Sequence, residues 1–247
     1  CDDLLSGRAA LPRIDRPTEA EVYYLKSKAL FYLDDLEGAR FLVRRATKTS
    51  GDIGVYRAFE GQIAFELALF DEALNNLEKA TALDPDAPHG FYHLGLVLER
   101  LDRSNEADRA FARANVLDPE HYPLPTEIEQ DAFDRATSDA LANLPRSIRE
   151  YVEPVPILVE DFPGEDLLTQ EEVSPQILGI FVGVPRIHAA VTDVKQDLDR
   201  VILFKRNLEK VCRTQAELVD QIQITVRHEI GHYLGLDEDD LDRLGLA

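Results

Sequence analysis

The chain has 247 residues, 45% of them hydrophobic and 30% charged, with a formal net charge of −20. That length holds one large domain or two ordinary ones with ample core, and the acidity repels phosphate backbones, so nucleic acid is excluded as an expected partner. The longest strongly apolar run, residues 177–184, is too short to span a bilayer, and no integral membrane segment is expected.

Two cysteines, Cys1 and Cys212, lie far apart, which argues against a disulfide framework and for a reducing, cytoplasmic setting. The start at Cys1 admits a lipid-anchored terminus as the alternative, with simple trimming the favoured explanation. Met is absent, and no physical reason for that is evident.

Residues 1–19, with Gly7, Pro12 and Pro17, read as an irregular lead-in. A repeat then begins. Ala20, Gly54 and Pro88 open three units of equal length, and small residues recur at one offset: Ala39, Ala73 and Ala107. Bulky Val43, Leu77 and Phe111 follow in register, then Ala46, Ala80 and Ala114. Gly61 and Gly95 stand where paired helices must approach closely, with Ser27 in the first unit. Pro85 and Pro119 close the second and third units, while Gly51 stands at that place in the first.

This pattern, over residues 20–121, resembles the tetratricopeptide repeat. The resemblance implies antiparallel helix pairs stacked into an all-α solenoid whose concave groove holds a peptide or a protein partner. Tyr24, Lys28, Gln62, His89, Tyr92 and His93 occupy the comparable surface, without the Lys, Arg and Asn clamp that grips a carboxyl terminus in some relatives. The plainer alternative is that the repeats only brace the following domain. His89, His93 and His121 lack a neighbouring carboxylate in metal-site spacing and are read as groove or surface residues.

Tyr122-Pro123-Leu124-Pro125 breaks the helical register, so residues 122–126 are expected to form a hinge and 127–247 a second domain. Its first element is an amphipathic helix over 127–144, ended by Pro145. Three strands are expected at 155–160, 177–184 and 200–205, with the middle one central in its sheet. Thr214-Gln215-Ala216-Glu217 has the spacing of a capping box, and Leu218, Ile222, Val226, Ile230 and Tyr233 recur at helical intervals up to Gly235.

That last helix carries His228-Glu229-Ile230-Gly231-His232. Histidines four residues apart project from one helix face and can share a tetrahedral zinc ion, while Glu229 is turned aside, placed to take a proton from water. On the plain alternative, these are merely polar residues on a helix.

The stretches 133–145, 155–161, 177–185 and Cys212-Arg213-Thr214, leading into the histidine motif, together resemble the small zincin-like metallopeptidase family of bacteria, over roughly 127–242. The resemblance implies a compact α+β zincin fold, Zn2+ and a peptide or protein substrate, with His228 and His232 as metal ligands and Glu229 as general base. A catalytic zinc wants a third protein ligand. Glu238, six residues after His232, is the first choice, with Asp237, Asp239, Asp240 and His188 as competitors. The acidic run also suits a plain helix start. The function expected is zinc-dependent peptide hydrolysis with the repeats recruiting a partner or substrate; the alternative is a repeat-based binding scaffold with a low-activity or structural zincin module.

Overall fold

The computed structural model describes residues 16–144, 146–152, 155–183 and 199–244. The chain divides between Leu124 and Pro125 into two compact units. The first is a solenoid of tetratricopeptide-like helical repeats, and the second is a small α+β domain.

Six helices form three consecutive pairs in the first unit: α1 (Arg16–Tyr32) with α2 (Leu36–Ser50), α3 (Gly54–Glu66) with α4 (Phe70–Leu83), and α5 (Pro88–Arg100) with α6 (Ser104–Leu117). Helix α1 begins at Arg16, inside the stretch expected to be irregular, because a proline such as Pro17 is compatible with a first helical turn, where its missing N–H has no intrahelical partner to lose. The recurring alanines mark where helices meet, and Ala39, Ala73 and Ala107 have no exposed surface. A Cβ on Gly61 would stand 2.5 Å from Leu77 Cγ, and one on Gly95 2.6 Å from Phe111 Cε1. Each glycine therefore makes room for the bulky residue of the next helix. Ser27 fills that position in the first pair and is buried, its hydroxyl donating to the Ala39 carbonyl at 2.6 Å.

The period also appears in the backbone. Asp34, Ala68 and Asp102, at the same place in successive repeats, adopt the left-handed conformation with φ of 61°, 55° and 57° in the turn inside each pair. Asp tolerates this region through local hydrogen bonding; Ala does not.

In the second unit, α7 (Gln130–Ala142) and α8 (Arg146–Val152) precede β1 (Ile157–Glu160), α9 (Glu165–Glu171), β2 (Gly179–Val182) and β3 (Arg200–Phe204). Helices α10 (Lys205–Val211), α11 (Gln215–Leu234) and α12 (Glu238–Leu244) complete it. The sheet order is β1-β3-β2, with β1 parallel and β2 antiparallel to β3. Strand β3 is therefore central, and Val201 to Phe204 are all buried. Strand β2, expected to be central, is an edge of the sheet among the described residues.

Helix α7 starts later than its apolar pattern indicates because residues 126–128 are committed elsewhere. Thr126 N–H donates to the Glu209 carbonyl at 2.8 Å, its hydroxyl to the Cys212 carbonyl at 2.8 Å, and Ile128 N–H to the buried Glu209 carboxylate at 3.3 Å. Helix α11 runs through the core. Leu218, Ile222, Val226 and Ile230 pack with Phe133, Ala136 and Ala140 of α7 and with Val201 and Leu203 of β3. Each buried aliphatic side chain contributes about 1.5–3 kcal/mol relative to exposure, which fixes the helix before any ligand is considered.

Two outcomes are expected for the repeats. Ala68→Gly removes the left-handed strain and should stabilise the solenoid by about 1 kcal/mol in chemical denaturation; a loss of stability would overturn this. The second concerns His93, which is buried, donates Nδ1–H to the His89 carbonyl at 3.0 Å, and has its pKa lowered to about 3 by burial and then by the neighbouring His89. The unfolded chain takes up this proton near the ordinary pKa of about 6.5, the folded chain only near the lowered one. Stability from this group is complete above about 6.5 and falls with pH between the two values, by roughly 5 kcal/mol in all. His93→Gln should flatten the stability profile in that window, and an unchanged slope would show that the ring is not held neutral.

Candidate metal centre

Helix α11 is defined at both ends by its own sequence. The Thr214 hydroxyl accepts from Glu217 N–H at 3.2 Å, and the Glu217 carboxylate accepts from Arg213 N–H at 2.8 Å. The capping box thus closes one residue earlier than its usual form. At the other end Gly235 takes φ 90°, Gly235 N–H donates to the His232 carbonyl at 2.9 Å, and Leu236 N–H to the Gly231 carbonyl at 3.0 Å. This double hydrogen bond is a Schellman turn, and only glycine enters its left-handed position without strain.

The turn sets the second histidine. By folding the chain back, it brings the Leu236 carbonyl to 3.2 Å from His232 Nδ1. A carbonyl only accepts, so Nδ1 carries the hydrogen and Nε2 of the neutral ring keeps its lone pair. That Nε2 lies 3.0 Å from His228 Nε2, with the two rings nearly perpendicular at 85°. Both rings are half-buried.

Glu229 lies on a different face of the helix and is 6% exposed. Its Oε2 accepts from the backbone N–H of Phe181, in β2, at 2.7 Å. The Phe181 ring meets Tyr233 edge to face with centroids 5.5 Å apart, and Tyr233 is a core residue. Sequence pattern had no means of finding Phe181, because its contribution is a main-chain donor.

Beside Glu229 and His228 is a cavity of about 290 Å³. Ile177, Leu178 and Gly179 line it on the strand side, and Gln221, Ile224 and Thr225 on the helix side. Those helix residues precede His228 by seven, four and three positions, so a scan back along the histidine face would have found them.

The acidic run after the motif is divided among roles. Asp237 caps α12, its carboxylate accepting from Asp240 N–H at 2.9 Å, and Asp240 pairs with Arg243. Asp239 is exposed. No group of three His, Cys, Asp or Glu side chains able to hold a metal is found among the described residues. Glu238 opens α12, but its side chain lies outside the described ones, as does His188 altogether. Gly231 serves packing: a Cβ there would stand 2.2 Å from Leu241 Cδ2, so the glycine lets α12 lie against α11.

H-E-x-x-H on a helix is the pattern in which two histidines one turn apart bind zinc and the glutamate between them serves as general base. Residues 152–246 match the family model described as zincin-like metallopeptidase, and residues 61–102 match a TPR repeat model. The chain therefore carries a zincin-like metallopeptidase domain behind tetratricopeptide repeats. Among solved structures it is similar to the TPR domain of Arabidopsis OM64, at 26% identity over 42% of this chain and 87% of that one, with a TM-score of 0.42. It is also similar to the first TPR of Spaghetti (RPAP3), bound to the HSP90 peptide SRMEEVD, at 20% identity over 51% and 96%, with a TM-score of 0.41. No curated protein matches the chain. No helix among the described residues is long and apolar enough to cross a membrane.

The packing of α12 is testable through Gly231. Gly231→Val should lose about 1–3 kcal/mol of stability by forcing Leu241 away, and Gly231→Ala less, since a single methyl meets only the flexible end of that side chain. Wild-type stability in Gly231→Val, measured by urea unfolding, would show that α12 does not pack there.

Proposed function

We propose that this protein is a zinc-dependent peptidase in which His228 and His232 hold the metal and Glu229 moves the proton. The observation that carries the reading is the convergence of two Nε2 atoms, 3.0 Å apart, beside a buried carboxylate aimed by a strand N–H. Two imidazole nitrogens sharing a tetrahedral zinc ion at its usual bond lengths stand about 3.3 Å apart, so a small opening of the pair accommodates the ion. The donor set also fits, because neutral imidazoles suit zinc and the Leu236 carbonyl fixes the tautomer that leaves Nε2 free to ligate. Glu238 is proposed as the third ligand, on its position six residues after His232 at the start of α12.

When bound, zinc supplies Lewis acidity towards water and a substrate carbonyl. Everything else falls to the chain. The Phe181 N–H holds the Glu229 carboxylate in one orientation, so the acceptor that takes a proton from the attacking water is fixed before substrate arrives. Glu229 then returns that proton to the departing amine.

The repeats are proposed to recruit a protein partner or the substrate itself. Tyr24, Lys28, Gln62, His89 and Tyr92 remain partly exposed on the first helices α1, α3 and α5. Lys28 lies close enough to His89 to add to the lowering of its pKa by burial. His93, expected on this surface, is buried and belongs to the solenoid's interior.

Roles separate in three variants. Glu229→Gln should retain about one zinc per chain while losing 10²- to 10⁴-fold in peptide hydrolysis, the usual contribution of a positioned base. His228→Ala with His232→Ala should lose stoichiometric zinc, and Glu238→Ala should lose both metal and turnover. Metal content and cleavage of a peptide library are measured on the same preparations at matched pH, since ligand protonation alone strips zinc. Undiminished hydrolysis in Glu229→Gln would refute the mechanism, and zinc retained by the double histidine variant would refute the site.

A further inference from the structure

The second and third repeats show which side of a first helix its neighbour covers. Tyr56, Phe59 and Ile63 of α3 are buried in one cluster with Ala20, Tyr23 and Val43 of the preceding pair. The Phe59 ring meets those of Tyr24 and Phe31 with centroids 5.6 and 5.4 Å apart. One period later, Gly90, His93 and Val97 of α5 hold the same places and are buried too, and a Cβ on Gly90 would stand 3.4 Å from Thr81 Cγ2 in α4. Counting back one period from α3 gives Val22, Leu25 and Ala29 of α1. These are apolar as well, yet Leu25 is 53% exposed, Ala29 is exposed, and Tyr32, one turn further on, is 78% exposed. The face that packs on a neighbour in α3 and α5 therefore meets solvent in α1.

Thr18, Val22, Leu25, Ala29 and Tyr32 are spaced four, three, four and three residues apart, which is the interval of the a and d positions in a coiled-coil seam. The seam runs along most of the 17-residue helix. Both of its flanks are charged in the same order. Glu21 and Lys28 occupy successive g positions, and Glu19 and Lys26 successive e positions, so each flank is acidic towards the N-terminus and basic towards the C-terminus.

We propose that this face of α1 is a homodimerisation surface, on which a second copy of the chain packs its own α1 antiparallel. In an antiparallel pair g meets g and e meets e. A copy turned end for end sets Glu21 opposite Lys28 and Glu19 opposite Lys26, each twice about the two-fold axis. The register that does so also stacks Val22 on Leu25 and Thr18 on Ala29. A parallel pair matches Glu21 with Lys26 but leaves Lys28 against Leu33, so the charges favour the antiparallel arrangement. Phe41 of α2, 60% exposed, extends the apolar surface: the Arg45 guanidinium lies 4.4 Å from the Tyr23 ring centroid of α1 and 5.9 Å from that of Phe41. One pair of helices about 25 Å long makes a small interface beside the roughly 1,600 Å² of a standard complex, which sets the dimer in the micromolar range.

The test is sedimentation velocity on the full chain from about 1 to 200 µM. Wild type should pass from monomer to dimer across that range. Leu25→Asp, at an exposed position, should stay monomeric throughout with its urea midpoint unchanged. Glu21→Lys should weaken the dimer about tenfold by setting lysine against lysine at both ends of the seam, and Lys28→Glu should do the same with glutamates. Joining the two substitutions in one chain recreates both pairs and should restore wild-type affinity. A mixture of the two single variants should associate more tightly than either alone.

A wild-type chain that remains monomeric at the highest concentration overturns the proposal, whether residues 1–15 or a different protein cover the face. A dimer that survives Leu25→Asp places the interface elsewhere and overturns it as well. A dimer that Leu25→Asp abolishes but the double charge variant fails to restore overturns the antiparallel pairing.

Discussion

A carboxylate removed from water must find a donor, and in this domain Glu229 finds the main chain of β2. Much of the second unit follows from meeting that requirement. Among the described residues β2 is an edge of the sheet, and it turns one N–H group, at Phe181, towards the helix. Strand and helix must then approach closely. Gly179 permits it, since a Cβ there would stand 2.8 Å from Thr225 and 3.2 Å from the Ile202 carbonyl. The approach in turn leaves the cavity between the lead-in to β2 and the first half of the histidine face of α11.

Features that depend on side-chain spacing were legible in the sequence. The repeat period, the buried alanines, the histidine pair, the cap at Thr214 and the glycine at 235 all announce themselves by residue type at a fixed interval. The three strands appeared where apolar β-branched residues cluster, and each lies within its apolar run, β2 covering only four residues of the eight expected. What stayed hidden was carried by the backbone or by short elements. Phe181 and Leu236 act through an N–H and a carbonyl that every residue owns. Helices α9, α10 and α12 have seven residues each, too few turns for periodicity to stand out. The sheet order β1-β3-β2 among the described residues depends on a parallel pairing of β1 with β3 that no local pattern encodes.

The repeats show a similar division. Ser27 departs from the glycine pattern yet reaches the same close packing, because a hydroxyl that can donate to the Ala39 carbonyl replaces the space that glycine would leave. Polar residues at interior positions are tolerated when bonded: Glu60, 5% exposed, lies between Arg44 and Arg57, and Asn76 accepts from Arg57 at 2.9 Å. Such pairs fix how neighbouring helices register more than they stabilise them, since desolvation offsets most of the attraction.

The Schellman turn after His232 has a consequence of another kind. The group that orients this imidazole belongs to the main chain of Leu236, so no substitution of that side chain deletes it. What matters is the number of bonds between ring and carbonyl. A single residue inserted or removed between positions 232 and 236 would carry the acceptor away, whereas exchanging Leu236 leaves it in place. Beyond the glycine at 235, the demand on this segment is therefore one of count, recorded as the absence of gaps rather than as the presence of a particular residue at 236.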